Sequence, residues 1–248
     1  MDNIQSAFKN KNANIGYIVA GYPSVEHTIE FIDNLDKSVI DLLEIGIPYS
    51  DPIADGKVIL DAGLEAIENG VNTDTVFEIL EKRTSKKPIV FLVYYNLIYA
   101  YGLSNFIQRS KKCGIQGFII PDMPYEESEE MFKLCKKNDL SLIPLISVTS
   151  EHRAKKLLTR SSGFIYAIGA IGVTGGEQTP LNRLKHMVGD LKKMSDLPVA
   201  VGFGIRTNED INITREYADG AIVGTSLVEL CGKFRGEYLL EEVKELFN

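Results

Sequence analysis

Eight short apolar runs recur along the chain, each followed by a segment with helical spacing. They are Ile15–Ala20, Val39–Ile45, Ile89–Tyr95, Gly117–Ile120, Leu142–Val148, Phe164–Ile168, Val199–Phe203 and Ala221–Val223. Each is continuous rather than alternating and rich in Val, Ile, Phe or Tyr, the pattern of strands buried on both faces of a parallel sheet. Between them lie amphipathic stretches such as Val25–Leu35, Ser104–Cys113, Glu126–Lys137, Glu151–Arg160, Leu181–Met194 and Asn208–Tyr217. Ser24 precedes the first of these and Thr207 the last, where helix N-caps belong. Strand–helix alternation without a Gly/Ser-rich linker implies one α/β domain over residues 1–248. Eight strands close a (β/α)8 or TIM barrel, with extra helices, although a doubly wound open sheet shows the same alternation. Two features favour the barrel: no G-x-G-x-x-G follows the first strand, and polar and glycine clusters follow several different strands.

Charge narrows the partners. With 34 acids against 27 bases the net charge is −7, which argues against a nucleic acid or an anionic membrane as the main partner. Cys113, Cys135 and Cys231 are far apart and lack C-x-x-C spacing, as expected of reduced thiols in or near the core of a cytosolic protein. The N-terminus has no signal-peptide pattern, and no apolar run approaches the ~18 residues of a membrane span. A cytoplasmic, soluble protein is the expectation.

The most informative segment runs from Leu42 to Gly56. Side chains alternate along a strand, so Leu42, Glu44 and Gly46 share one face while Leu43 and Ile45 share the other. If Leu43 and Ile45 meet the helical layer, Glu44 points into the barrel near its C-terminal mouth. Desolvation there raises a carboxyl pKa toward the range in which the group both gives and takes a proton. A structural ion pair with a buried Arg or Lys is the competing reading. Asp51 and Asp55 follow in a Pro- and Gly-marked loop, so three carboxylates are expected to converge on one strand's mouth. Asp51 is also a turn former before Pro52, and Asp55 a turn residue or helix cap.

Three glycine-rich segments follow the last three strands: Gly172–Gly176, Gly202–Ile205 and Gly220–Ser226. Barrel enzymes often bind phosphate with the loops after strands seven and eight and the N-terminus of a short helix. Glycine lets backbone N–H groups approach the anion closely, and Thr225 and Ser226 offer hydroxyl donors. A phosphate ester is therefore the expected ligand class. Other chemistries lack their residues. His27, His152 and His186 all fall on expected helices as solvated positions, so neither a Ser-His-Asp nor a His-metal site is indicated. No strand run contains a lysine for Schiff-base chemistry, and Lys57 reads as a surface residue. The aromatic run Phe91–Asn96 fits either a pocket wall or the core.

The stretch Leu43–Gly56 closely resembles the signature of tryptophan synthase α subunits. The likeness continues in order through Tyr94-Tyr95-Asn96, Pro121-Asp122-Met123-Pro124, Gly172-Val173-Thr174-Gly175, Val201-Gly202-Phe203-Gly204-Ile205 and the Gly224 loop. The resemblance implies retro-aldol cleavage of indole-3-glycerol phosphate to indole and glyceraldehyde 3-phosphate, in the last steps of tryptophan biosynthesis. It implies Glu44 and Asp55 as the catalytic acids. Tyr166, Thr174, Gly175, Phe203, Gly204, Gly224 and Thr225 become substrate contacts, with Thr174 pairing with Asp55 on loop closure. Asp51 becomes a loop position facing a β subunit. No cofactor or metal is implied for this chain; pyridoxal phosphate belongs to the β subunit of an αββα heterotetramer. Three positions depart from the family pattern. Lys57 stands where proline is usual, Ile168–Ile171 lacks a Ser-Arg, and Thr225 replaces a commoner Ser. Two rival readings are another phosphate-binding barrel and a non-catalytic regulator of the β subunit.

Overall fold

The computed structural model describes residues 3–10, 12–171, 177–178, 180–202 and 204–248. Its strands are β1 (Ala13–Val19), β2 (Leu42–Gly46), β3 (Ile89–Leu92), β4 (Gly117–Ile119), β5 (Ser141–Ile143), β6 (Leu145–Ser147), β7 (Ile165–Ile168), β8 (Ala170–Ile171), β9 (Glu177–Gln178), β10 (Val199–Gly202) and β11 (Gly220–Val223). From β5 the pairing runs through β4, β3, β2, β1, β11, β10 and β7 to β6, parallel throughout.

The two ends of this order, β5 and β6, are consecutive in the chain and flank Pro144. They form a single stave. Proline has no N–H to donate, so ladder pairing breaks there. Its carbonyl still accepts from the Tyr166 N–H at 3.0 Å, and the Leu142 carbonyl accepts from the Ser162 N–H at 2.9 Å. The sheet thus closes into an eight-stave (β/α)8 barrel with helices outside it, and closure removes the exposed edges an open sheet would have to protect. The short antiparallel pair β8–β9 stands apart from the barrel.

Strand ends differ from the sequence expectation where side chains from elsewhere intervene. The run Ile89–Tyr95 stops as a strand at Leu92, and Tyr95 opens the helix Tyr95–Tyr101. The Asp122 carboxylate, from the loop after β4, accepts the Tyr95 N–H at 2.7 Å and so caps that helix from another part of the chain. Lys57–Glu68 is the helix expected after Asp55, and Thr73–Glu81, Thr225–Lys233 and Gly236–Phe247 stand beside those named from the sequence. Lys57 is the first residue of its helix, exposed, with its Nζ 2.7 Å from Asp61 one turn on.

Between sheet and helices, Phe77, Phe91, Phe106 and Phe118 are fully buried. Phe77 and Phe106 meet with centroids 5.3 Å apart and Phe106 and Phe118 at 5.7 Å. Burying each such ring contributes roughly 1.5–3 kcal/mol. Phe91 therefore belongs to the outer core, and the next residue, Leu92, faces the barrel pocket. All three cysteines are buried and free. His27 corrects the reading of a solvated histidine: it is buried, and its Nδ1 lies 2.6 Å from Nη1 of Arg235 at the start of the last helix. An amphipathic helix marks which face is buried, but only packing shows that the C-terminal helix covers this one.

Candidate active site

Strand alternation places Glu44 on the inner face of β2. All five residues of that strand are buried, and the carboxyl lines a cleft of about 510 Å3, including its open mouth. Tyr17, Glu44, Asp55 and Tyr166 form its polar part, against Ile59, Leu92, Ile205 and Ile222. That volume suits a small ligand. Neither carboxyl oxygen of Glu44 has a hydrogen-bond partner among the described residues. The ion-pair reading of Glu44 therefore has no support in the packing. Burial alone pushes its pKa up to about 8, so the group holds its proton at neutral pH and is poised to donate.

Asp55 sits in the loop after β2, half-buried, with its pKa raised to about 6 by desolvation. A hydrogen bond from the Tyr94 hydroxyl works in the opposite direction by favouring the charged form. That hydroxyl also accepts the Ala54 N–H at 3.1 Å, which ties the loop to the end of β3. Two carboxyls in one cleft therefore hold different pKa values, the usual arrangement of an acid beside a fixed anion. Tyr94→Phe should raise the Asp55 pKa by about one unit, because the donor that favours its charged form is lost. Carboxyl carbon-13 NMR of the titrating protein checks this, and an unmoved Asp55 would refute the coupling. Asp51 does not join the pair. It is exposed, makes a close hydrogen bond with the Ser50 hydroxyl, and the convergence expected of three acids involves only two.

The two phenols owe their placement to glycines. A Cβ added to Gly46 would lie 2.7 Å from Cζ of Tyr17, and one added to Gly202 would lie 2.6 Å from Cζ of Tyr166. Each ring lies over a neighbouring strand where no side chain competes. Toward the loops after β10 and β11, the cleft is lined by Gly204, Arg206, Gly224 and Thr225. Gly204 has φ +87°, the left-handed region that favours glycine. Gly224 is the N-cap of helix Thr225–Lys233, and the Ser226 hydroxyl donates to the Arg206 carbonyl at 2.8 Å, joining the two loops. Thr174, Gly175 and Phe203 lie outside the described residues.

The chain matches the family model described as tryptophan synthase alpha chain over residues 4–246. A Campylobacter jejuni tryptophan synthase alpha chain is 42% identical over 242 residues, covering 97% of both chains. The chain belongs to the tryptophan synthase alpha chain family. A Petrotoga mobilis member is 40% identical, covering 98% of this chain and 96% of that protein. The solved alpha subunit from C. jejuni superposes with TM-score 0.90 at 40% identity over the full length of both chains. The chain in a tryptophan synthase complex from Pyrococcus furiosus superposes with TM-score 0.83 at 32% identity, covering 94% of this chain and 96% of that one. Membership makes the chain a lyase.

Sequence reasoning placed Glu44, Asp55, Tyr166, Gly204, Gly224 and Thr225 in the site, and all six line the one cleft. It missed Tyr17 and Arg206. Tyr17 lay within an apolar strand run, where its hydroxyl was the only signal. Arg206 stands two residues beyond Gly204 and reads as an ordinary surface cation until the loops are folded. Among the described residues no cluster of His, Cys, Asp and Glu is arranged to hold a metal, and no helix is long and apolar enough to cross a membrane.

Proposed function

We propose that the chain cleaves indole-3-glycerol phosphate into indole and glyceraldehyde 3-phosphate, with Glu44 as the proton shuttle and Asp55 as the fixed anion. The observation that carries this reading is the pair of carboxyls with separated pKa values in one cleft, about 8 for Glu44 and about 6 for Asp55. Near neutral pH Glu44 holds its proton and Asp55 is largely charged.

Glu44 gives its proton to indole C3, leaving the ring cationic. Asp55 accepts the hydrogen bond of the indole N–H and steadies that charge. The newly formed Glu44 carboxylate then takes the proton of the C3′ hydroxyl. The O–H electrons become the aldehyde C=O, and the C3–C3′ pair returns to the ring and restores the neutral indole. Glu44 ends protonated, as it began. The phosphate rests against the backbone of Gly204, Gly224 and Thr225, with Tyr166 lining the same cleft.

The chain forms one domain over residues 1–248 and works in the cytoplasm. It joins an αββα heterotetramer through the loop carrying Asp51, where Ile53 is 66% exposed. Pyridoxal phosphate is carried by the β subunit, which consumes the indole. The test is indole release from indole-3-glycerol phosphate by the purified chain, with and without its β subunit. Indole and glyceraldehyde 3-phosphate are expected in equal amounts, faster with the partner present; no indole under either condition ends the proposal.

A further inference from the structure

The proposed reaction charges Glu44 midway, yet this buried side chain has no donor among the described residues. A carboxylate created in such a place is costly unless a donor turns to meet it. The titratable and charged groups around it are Tyr17 on β1, Asp55 in the loop after β2, Tyr94 after β3, Tyr166 on β7 and Arg206 after β10. Asp55 offers only a second negative charge near neutral pH. Tyr94 is committed to Asp55 and Ala54. Arg206 is exposed. Tyr166 feels Glu44 from β7, four staves away across the barrel, but already makes a further interaction of its own.

Tyr17 is placed differently. It is the Cα partner of Glu44 across the β1–β2 pair. Its ring lies over Gly46, the next residue after Glu44 on the inner face, with Cζ 2.7 Å from where a Cβ would stand. On the other flank, a Cβ on Gly224 would meet Cδ1 of Tyr17 at 3.5 Å. Two positions without side chains therefore bracket the ring. No hydrogen bond to another described residue shifts its titration; burial and neighbouring charges alone do.

We propose that Tyr17 is a positioning residue whose hydroxyl donates a hydrogen bond to the Glu44 carboxylate each time that group gives up its proton. This inference rests on Glu44 being the proton shuttle. Gly46 acts with it, because any larger residue there would push the phenol out of reach.

The test is Tyr17→Phe, which removes one oxygen and no packing. Carboxyl carbon-13 NMR of glutamate-labelled protein follows Glu44, whose resonance is assigned by its loss in Glu44→Gln. The Glu44 pKa should rise by about one unit in Tyr17→Phe, as expected for the loss of one hydrogen bond to a charged acceptor. The basic limb of the pH–rate profile should move up with it. At the same time kcat should fall by about 10–100-fold with KM little changed, since the donor acts on a charge formed after binding. The melting temperature should hold, because the substitution removes one oxygen and leaves the packing of the ring intact. An unmoved Glu44 titration, or a moved one with unchanged kcat, overturns the Tyr17 assignment. If Glu44→Gln cleaves substrate at the wild-type rate, the functional reading itself fails, whatever Tyr17 does.

Discussion

Glu44→Gln is expected to cut indole release by ~10³-fold or more, equivalent to about 4 kcal/mol of barrier, while making the protein more stable. The two effects share a cause. Gln keeps the shape of the side chain but cannot give a proton to C3 or take one from the C3′ hydroxyl. The stability gain follows from linkage. The Glu44 pKa rises from 4.5 to about 8 on folding, so between those values the native state retains a proton that the unfolded chain has released. Native stability therefore falls as pH rises through that window. At pH 7 the cost is up to about 3 kcal/mol, at about 1.4 kcal/mol per unit. Gln carries no such charge, so the variant should melt up to roughly 6–10 °C higher at pH 7. The gap should close toward pH 4.5, where both states of the wild type hold the proton. Calorimetric melts at several pH values and a steady-state indole assay check both halves. A variant that cleaves normally refutes the catalytic role. One that is inactive without a pH-dependent stability gain refutes the buried neutral acid.

Gly204→Asp should abolish detectable binding of glycerol phosphate analogues, a loss of at least ~100-fold, through like-charge repulsion in a confined site. Gly204 holds φ +87° on the wall of the cleft, beside Arg206, Gly224 and Thr225. A side chain there meets backbone strain of about 1–2 kcal/mol, which Asp tolerates better than most residues. The fold should survive, and the new carboxylate would occupy the ground where the phosphate is proposed to rest. Titration calorimetry with an analogue, alongside a melt to confirm folding, separates the outcomes. Normal affinity in a folded variant would remove the phosphate role from this loop.

How much of this was legible beforehand depended on how local the cause was. The eight staves could be read because continuous apolar runs record burial on both faces, residue by residue. Their ends could not, because Asp122 caps the helix at Tyr95 from another loop and Pro144 divides one stave between two neighbours. Glu44 could be found because an acid in an apolar strand is conspicuous and alternation gives its face. Asp51 looked equivalent to Asp55 in the sequence, but only Asp55 turns back under Tyr94. His27 looked like a surface residue until the C-terminal helix brought Arg235 against it.

The sequence by itself pointed to the barrel and the family and marked Glu44, with Asp55 among its candidate partner acids, since each is written in short-range pattern: apolar continuity, one long motif and strand alternation. Tertiary structure alone decided the chemical state of those acids. A pKa of about 8 at Glu44 and about 6 at Asp55 comes from dehydration and from Tyr94, a residue 39 positions beyond Asp55. The seating of Tyr17 likewise depends on a glycine from the neighbouring stave, Gly46. Dehydration and close approach are properties of the assembled barrel, because they are set by what surrounds a residue in space.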